Sequence, residues 1–168
     1  PYLALQVPPQ IQYQGRVATA AGGAWGGPAG YFMFAIFDGN GTVLWNNWDG
    51  HSLGAGVSDP ATVSSPGIAQ VQTLQVNNGV FSVRLGDASV SVGPNMAIPA
   101  TVFYNPGGTG NVRTGVKLKV WFSPDGSPPF TKLSPDVDFT SVPFAMVAGI
   151  AETVKQRAVT TEMLADGA

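Results

Sequence analysis

The alternation of apolar and polar residues is clearest between residues 31 and 48, where two apolar runs flank a short turn. The runs cover residues 31–37 and 42–48, and the turn between them contains Asp, Gly and Asn. This pattern predicts a β-hairpin. Side chains of a strand alternate between two faces, so both faces of the first run are apolar. We therefore expect a strand covered on both sides, by a partner sheet on one side and by a helix, a loop or a neighbouring subunit on the other. The first face carries Tyr31, Met33, Ala35 and Phe37, and the second carries Phe32, Phe34 and Ile36.

Further strands are predicted where the same alternation recurs. Residues 77–79 form a predicted turn, because Asn and Gly accept positive φ. The segments between the strands are rich in Gly, Pro and Ser, which predicts loops. The predicted strands cover residues 10–17, 68–76, 80–86, 100–104, 116–123 and 130–133. Their core-facing side chains are predicted to be Ile11, Tyr13, Val17, Phe81, Val83, Leu85, Val116, Leu118, Val120 and Phe122.

The two ends of the chain depart from this pattern. In residues 1–9, Leu3, Leu5 and Val7 alternate with other residues before two prolines end the run. This predicts an extended arm with one apolar face. The arm either packs as a first strand on its own domain or adds to the sheet of a neighbour. Near the other end the apolar spacing becomes helical, which predicts a short helix over residues 143–157.

These elements predict a mainly β protein. The expected fold is an antiparallel β-sandwich, jelly-roll or Ig-like, with an extended N-terminal arm and a short C-terminal helix. The arm covers residues 1–9, the sandwich residues 10–142, and the helix and tail residues 143–168. The 22 Gly and 14 Pro residues agree with a fold of many short strands and turns.

The composition of the chain argues against some classes of function and favours others. Charged residues make up only 11% of the chain, against roughly 25% in an ordinary soluble domain, and a surface with few charges favours association. The net charge is −2 without a basic cluster, so we expect no nucleic-acid partner. No apolar run approaches the ~20 residues of a membrane helix, so we expect no integral membrane protein. The start at Pro1, without a basic leader segment, favours a mature exported protein, secreted or on the cell surface.

The order of three motifs resembles a group of bacterial exported β-rich domains. The first motif is IQYQGRV at residues 11–17, the second is NGVFSVRLG at residues 78–86, and the third is TSVPFA at residues 140–145, preceded by LSP at residues 133–135. The corresponding family patterns are YQGRL, NGVFSVxLG and LTSVPYA, and the resemblance covers about residues 8 to 155. It implies a module of cell-surface, appendage or fibre-like proteins and brings no catalytic residues with it.

Residues that could carry catalysis or bind a metal are few. His51 is the only histidine and lies in a Gly/Ser loop, without a visible nucleophile–base set. Asp136 and Asp138 would share one face of an extended segment, as a glycosidase pair would, but a solvated turn is the simpler interpretation. Residues 38–41 resemble the start of a calcium loop and lack its closing Glu. We therefore predict no enzyme activity, no cofactor and no metal site.

Three tryptophans are candidate contacts for a neighbouring subunit or a glycan: Trp25, Trp48 and Trp121. For Trp25 and Trp48, packing in the core is the simpler interpretation. Trp121 points opposite to its core-facing neighbours and is predicted to be exposed. Exposed Trp on a neutral sheet is suited to stacking on a sugar ring or to burial under another chain.

The preferred hypothesis is a structural subunit of an extracellular filament, appendage or surface layer. It would self-assemble by strand exchange, through the apolar sheet faces and the arm residues Tyr2, Leu3, Leu5 and Val7. Its main partner would be a second copy of itself. The alternative is a monomeric adhesion or carbohydrate-binding module that uses the three tryptophans to bind surface glycans.

Overall fold

The computed structural model describes residues 10–51, 56–89, 91–103 and 113–139. This part of the chain is mainly β, and all its strand pairs are antiparallel. It also contains two single 3₁₀ turns, at Pro60–Thr62 and Ala100–Val102. The strands are β1 (Ile11–Arg16), β2 (Gly27–Phe37), β3 (Val43–Asn46), β4 (Gly50–His51), β5 (Gln72–Val76), β6 (Val80–Leu85), β7 (Lys117–Ser123), β8 (Thr131–Lys132) and β9 (Val137–Asp138).

The larger of the two sheets is built around β2 and β7. These strands pair along their whole shared length, from Tyr31 opposite Ser123 to Phe37 opposite Lys117. The other edge of β2 is shared, with β5 beside its first half and β3 beside its last residues. The outer edge of β7 is shared in the same way by β8 and β9. The predicted hairpin at residues 31–48 is thus confirmed, and the strands predicted at 116–123 and 130–133 pair with each other as β7 and β8.

The smaller sheet consists of β1 and β6, paired from Ile11 opposite Leu85 to Arg16 opposite Val80. A tight turn connects β6 to β5 of the large sheet. Its central residues, Asn78 and Gly79, have φ of 53° and 83°. Two successive positive φ values are typical of the two-residue hairpin turn that matches strand twist, so the predicted turn at residues 77–79 is confirmed.

The two sheets pack through aromatic side chains. Phe81 of β6 lies on Phe32 of β2, with ring centroids 4.4 Å apart. Gly15 of β1 leaves the space for this ring, because a Cβ there would lie 2.5 Å from the Phe81 ring. The core between the sheets contains all the side chains predicted to face it except Tyr13, which is half-buried: Ile11, Val17, Phe32, Phe34, Ile36, Phe81, Val83, Leu85, Val116, Leu118, Val120 and Phe122.

The second face of β2 is covered by parts of the same chain. Met33, Ala35 and Phe37 are each at most 3% exposed, and side chains from surrounding loops and strands pack against them. The turn at Pro60–Thr62 also contacts β2. The two faces of β2 are therefore sorted as predicted, and loops provide the second cover. The side chains that pack with Met33, Ala35 and Phe37 on this second face are those of Tyr31, Val43, Trp48, Val71, Trp121 and Phe130.

Several boundaries differ from the predictions. The segment predicted as a strand at 100–104 begins instead with a 3₁₀ turn, which follows Pro99. β5 begins at Gln72, not at residue 68, and Ile68 is 82% exposed. β2 begins at Gly27, inside the predicted loop. The predicted arm and the predicted helix lie outside the described residues, and both remain predictions.

Candidate functional site

The residues with catalytic potential have ordinary surface partners. His51 is an exposed residue of β4. The Asp136 carboxylate pairs with the ammonium of Lys132, and an Asp138 carboxylate oxygen is 3.8 Å from Lys117 Nζ. Each aspartate has its own lysine, so the paired-carboxylate interpretation gains no support from the geometry. Throughout the described part of the chain, no three His, Asp or Glu side chains are grouped so as to hold a metal ion.

The calcium-like sequence at residues 38–41 forms a hairpin turn. Asp38 Oδ1 accepts hydrogen bonds from the backbone N–H groups of Asn40, at 2.9 Å, and Thr42, at 2.8 Å. An aspartate that bonds to its own backbone in this way stabilises a turn. This carboxylate oxygen is therefore already used within the fold.

The three candidate tryptophans are all packed against other aromatic or apolar groups. Trp25 is half-buried, with its ring 4.9 Å from the Phe122 ring. Trp48 is half-buried against the second face of β2. Trp121 does point opposite to its neighbours, but it is only 6% exposed, so its predicted exposure is wrong. The physical reason is that loops cover the face on which it lies.

The outer edge of β1 is the feature of this structure that is best suited to binding another chain. Val80 exchanges both of its backbone hydrogen bonds with Asn77. The backbone N–H and C=O groups of the even-numbered residues of β6 therefore point away from β1. In an antiparallel pair the bonded and non-bonded positions alternate. By this alternation Gln12, Gln14 and Arg16 direct their N–H and C=O groups to the outer edge of β1. No strand of the described ranges pairs with this edge.

The opposite edge of the small sheet is partly blocked by side chains. Asn95 is buried, and its side-chain amide donates to the Arg84 C=O at 2.7 Å and accepts from the Gly86 N–H at 2.8 Å. Asn77 occupies the other end of the same edge through its bonds to Val80. The outer edge of β6 is therefore partly satisfied from within the chain, whereas none of the described strands pairs with the outer edge of β1.

Strand pairing sets which residues lie at the edges of the two sheets. The outer edge of β6 faces Asn95 and Asn77, the residue that follows β5, so β1 lies on the opposite side of β6 from these two residues. In the large sheet, β5 and β7 flank opposite edges of β2, and β8 and β9 extend the sheet beyond β7. Half-buried apolar side chains lie there and pack against the core between the sheets: Leu133, Val137 and Phe139.

The chemistry of this edge suits an uncharged extended segment. Natural sheet edges are commonly protected by lysines, prolines or bulges, whereas the exposed side chains of β1 are two glutamines and one arginine. On the inward face of β1, burial raises the pKa of the Tyr13 phenol, so this group stays neutral. The edge thus offers backbone donors and acceptors next to apolar surface, with one charge at its end.

Comparison with protein-family models, with curated proteins and with solved structures found no match for this chain. Within the residues that the structure describes, no helix has the length and apolar character needed to cross a membrane.

Sequence reasoning did not single out Gln12, Gln14 and Arg16 as a site. The alternation correctly predicts that their side chains face solvent, but it contains no information on whether their backbone groups have a partner. Pairing is decided by the order of strands in the sheet, and this order depends on residues about 70 positions away in the sequence.

Proposed function

We propose that this protein is a self-assembling structural subunit of an extracellular filament, appendage or surface layer. Its fold would be a β-sandwich of the jelly-roll or Ig-like type in which the smaller sheet is completed by a strand from another copy. The observation that carries this proposal is the outer edge of β1, which has no strand partner among the described residues.

Two further properties support assembly through this edge. The chain has 8 basic and 10 acidic residues in 168, so like-charge repulsion between copies is weak. The second face of β2 is buried by the chain's own loops, which removes this apolar face as the contact between subunits. A sheet edge contributes backbone hydrogen bonds as well as apolar burial, as in other strand-addition complexes.

Negative-stain microscopy and light scattering test the proposal on the full chain and on a variant that lacks residues 1–9. We expect polymers of the full chain and monomers of the shortened variant. Monodisperse monomers in both samples would refute the structural role. That result would direct attention to the glycan-binding alternative, which glycan arrays with Trp25→Ala and Trp48→Ala variants would then test.

A further inference from the structure

We propose that the outer edge of β1 is the acceptor for residues 2–7 of a second copy, in an antiparallel register that places Ala4 opposite Gln14. This inference rests on the proposed function and specifies its contact. The edge offers three outward backbone positions, at Gln12, Gln14 and Arg16. A donor strand with three residues at the same spacing, whose N–H and C=O groups face this edge, would form backbone hydrogen bonds with all three positions.

The alternation of the donor segment matches the faces of β1. Directly opposite residues in neighbouring strands share a face, so the residues opposite Gln12, Gln14 and Arg16 face solvent. In the proposed register these are Gln6, Ala4 and Tyr2. The apolar residues Leu3, Leu5 and Val7 then lie opposite Gly15, Tyr13 and Ile11, on the face that packs towards the large sheet. A shift by one residue would reverse every side chain, so this parity is a strong constraint.

The position of Gly15 agrees with a bulky donor residue. Gly15 has no side chain, and its inward side is occupied by the Phe81 ring and the Tyr13 hydroxyl. A leucine opposite this glycine would therefore lie beside the Phe81 ring and the Tyr13 side chain, because Gly15 itself contributes no side chain.

The donor is assigned to another copy because of the residues that join the arm to β1. Pro8, Pro9 and Gln10 form this connection. Proline fixes φ near −65° and biases the preceding residue towards an extended conformation, so residues 7–9 favour a straight course. A tight hairpin back onto β1, with a loop of two or three residues, would need a residue with positive φ, for which Gly or Asn is usual, and neither occurs at residues 8–10. We therefore assign the donor segment to a second copy and not to the same subunit.

Disulfide cross-linking tests the contact directly, because the chain contains no cysteine. One preparation carries Ala4→Cys and a second carries Gln14→Cys, and the two are mixed under mild oxidation. Opposite residues of a bonded antiparallel pair have Cα atoms about 5.5 Å apart, which permits a disulfide. We expect a cross-linked heterodimer in high yield. Asn40→Cys, at an exposed hairpin turn, serves as the matched control in place of Gln14→Cys and should cross-link at least tenfold more slowly.

The outcomes separate this inference from the proposed function. Polymers that form without preferential cross-linking to position 14 would overturn the acceptor assignment and leave the structural role in place. If Ala4→Cys cross-links in higher yield to Gln12→Cys or Arg16→Cys than to Gln14→Cys, the proposed register is wrong. A rapid intramolecular disulfide in monomers that carry both Ala4→Cys and Gln14→Cys would show that the arm folds back on its own subunit. Absence of both polymers and cross-links would refute the proposed function as well.

Amide hydrogen exchange in the variant lacking residues 1–9 examines whether another segment of the same chain fills the edge. The amides of Gln12, Gln14 and Arg16 should exchange rapidly, whereas those of Tyr13 and Gly15, which face β6, should be protected. Addition of a peptide with the sequence of residues 1–9 should slow exchange of the first group by at least tenfold. Protection of these amides before the peptide is added would overturn the inference.

Discussion

Asn47 is a buried side chain that ties together three distant segments, and its replacement is the sharpest test of the fold. The residue is completely buried. Its Oδ1 accepts from the Phe34 N–H at 2.8 Å, and its Nδ2 donates to the C=O groups of Gln70 at 3.0 Å and Pro94 at 3.1 Å. One amide thus joins β2 to the segments before β5 and after β6.

The expected effect of Asn47→Ala follows from the groups that lose a partner. The Pro94 oxygen retains a hydrogen bond from Gln72 Nε2, so the Phe34 N–H and the Gln70 C=O are the two groups left with a lost bond. A buried polar group without its partner costs about 1–3 kcal/mol. We therefore expect Asn47→Ala to lower the free energy of unfolding by about 4 kcal/mol, which is a large part of the ~5–15 kcal/mol of an ordinary domain.

Urea unfolding, followed by fluorescence, measures this loss. Asn40→Ala is the matched control, since Asn40 is an exposed residue of the β2–β3 turn, and surface changes of this kind stay within about 0.5 kcal/mol. A loss below about 1 kcal/mol for Asn47→Ala would refute the argument, because the two orphaned groups would then have found other partners.

Asn47→Asp adds a test with a defined sign. The carboxyl keeps an acceptor for the Phe34 N–H but places an oxygen against the Gln70 and Pro94 carbonyl oxygens. Burial and this repulsion would raise the pKa of the introduced carboxyl in the folded state. A raised folded pKa means that the folded protein binds more protons, so stability falls as pH rises from about 4 towards 7. A difference from wild type that does not change with pH would contradict this account.

Four other substitutions test separate parts of the structure. Gly93 has φ of +101°, and a Cβ there would clash with a neighbouring backbone oxygen. We therefore expect Gly93→Ala to lower the free energy of unfolding, measured in urea, by about 2–5 kcal/mol. Gly22 has φ of +85° and open space around it, so Gly22→Ala should lower the free energy of unfolding by only about 1–2 kcal/mol. Hydrogen bonds from the Ser89 hydroxyl and N–H hold the pKa of Asp87 below its usual range. The stabilisation from Asp87 is thus present above about pH 4 and is lost as pH falls through the folded pKa, and Ser89→Ala should raise that pKa in an NMR titration. Trp121→Ala removes a buried indole and should lower the free energy of unfolding by about 3–5 kcal/mol. A decrease below about 1 kcal/mol would indicate an exposed ring.

The parts of the fold that depend on local sequence were predictable. A strand's two faces follow from a period of two residues, which is why Phe32 and Met33 were correctly assigned to opposite faces. The turn at Asn78 and Gly79 was predictable because few other residues adopt positive φ at low cost. These features need no knowledge of residues elsewhere in the chain.

Features that depend on distant contacts were not predictable in the same way. The sequence pattern shows that Trp121 faces away from Val120, but not that Trp48 and Phe130 pack on that face. The role of Asn47 was also missed, because its partners are 13, 23 and 47 residues away in the sequence. An asparagine in a hairpin ordinarily indicates a turn, and only the assembled sheets show that this one is enclosed.

The two sheets differ in how completely they are built, and this difference links folding to assembly. In the large sheet, β2 and β7 have strand partners on both edges and packed side chains on both faces. Among the described residues the small sheet has two strands. Two strands alone are marginal in water, so β1 depends on its packing against Phe81 and the core. A third strand at the edge of β1 would satisfy the outward backbone groups and cover half-buried apolar surface. Any chain that binds only the folded subunit also stabilises it by mass action. Under the proposed exchange, each subunit would therefore be most stable within the polymer, and β1 would be the strand that gains most.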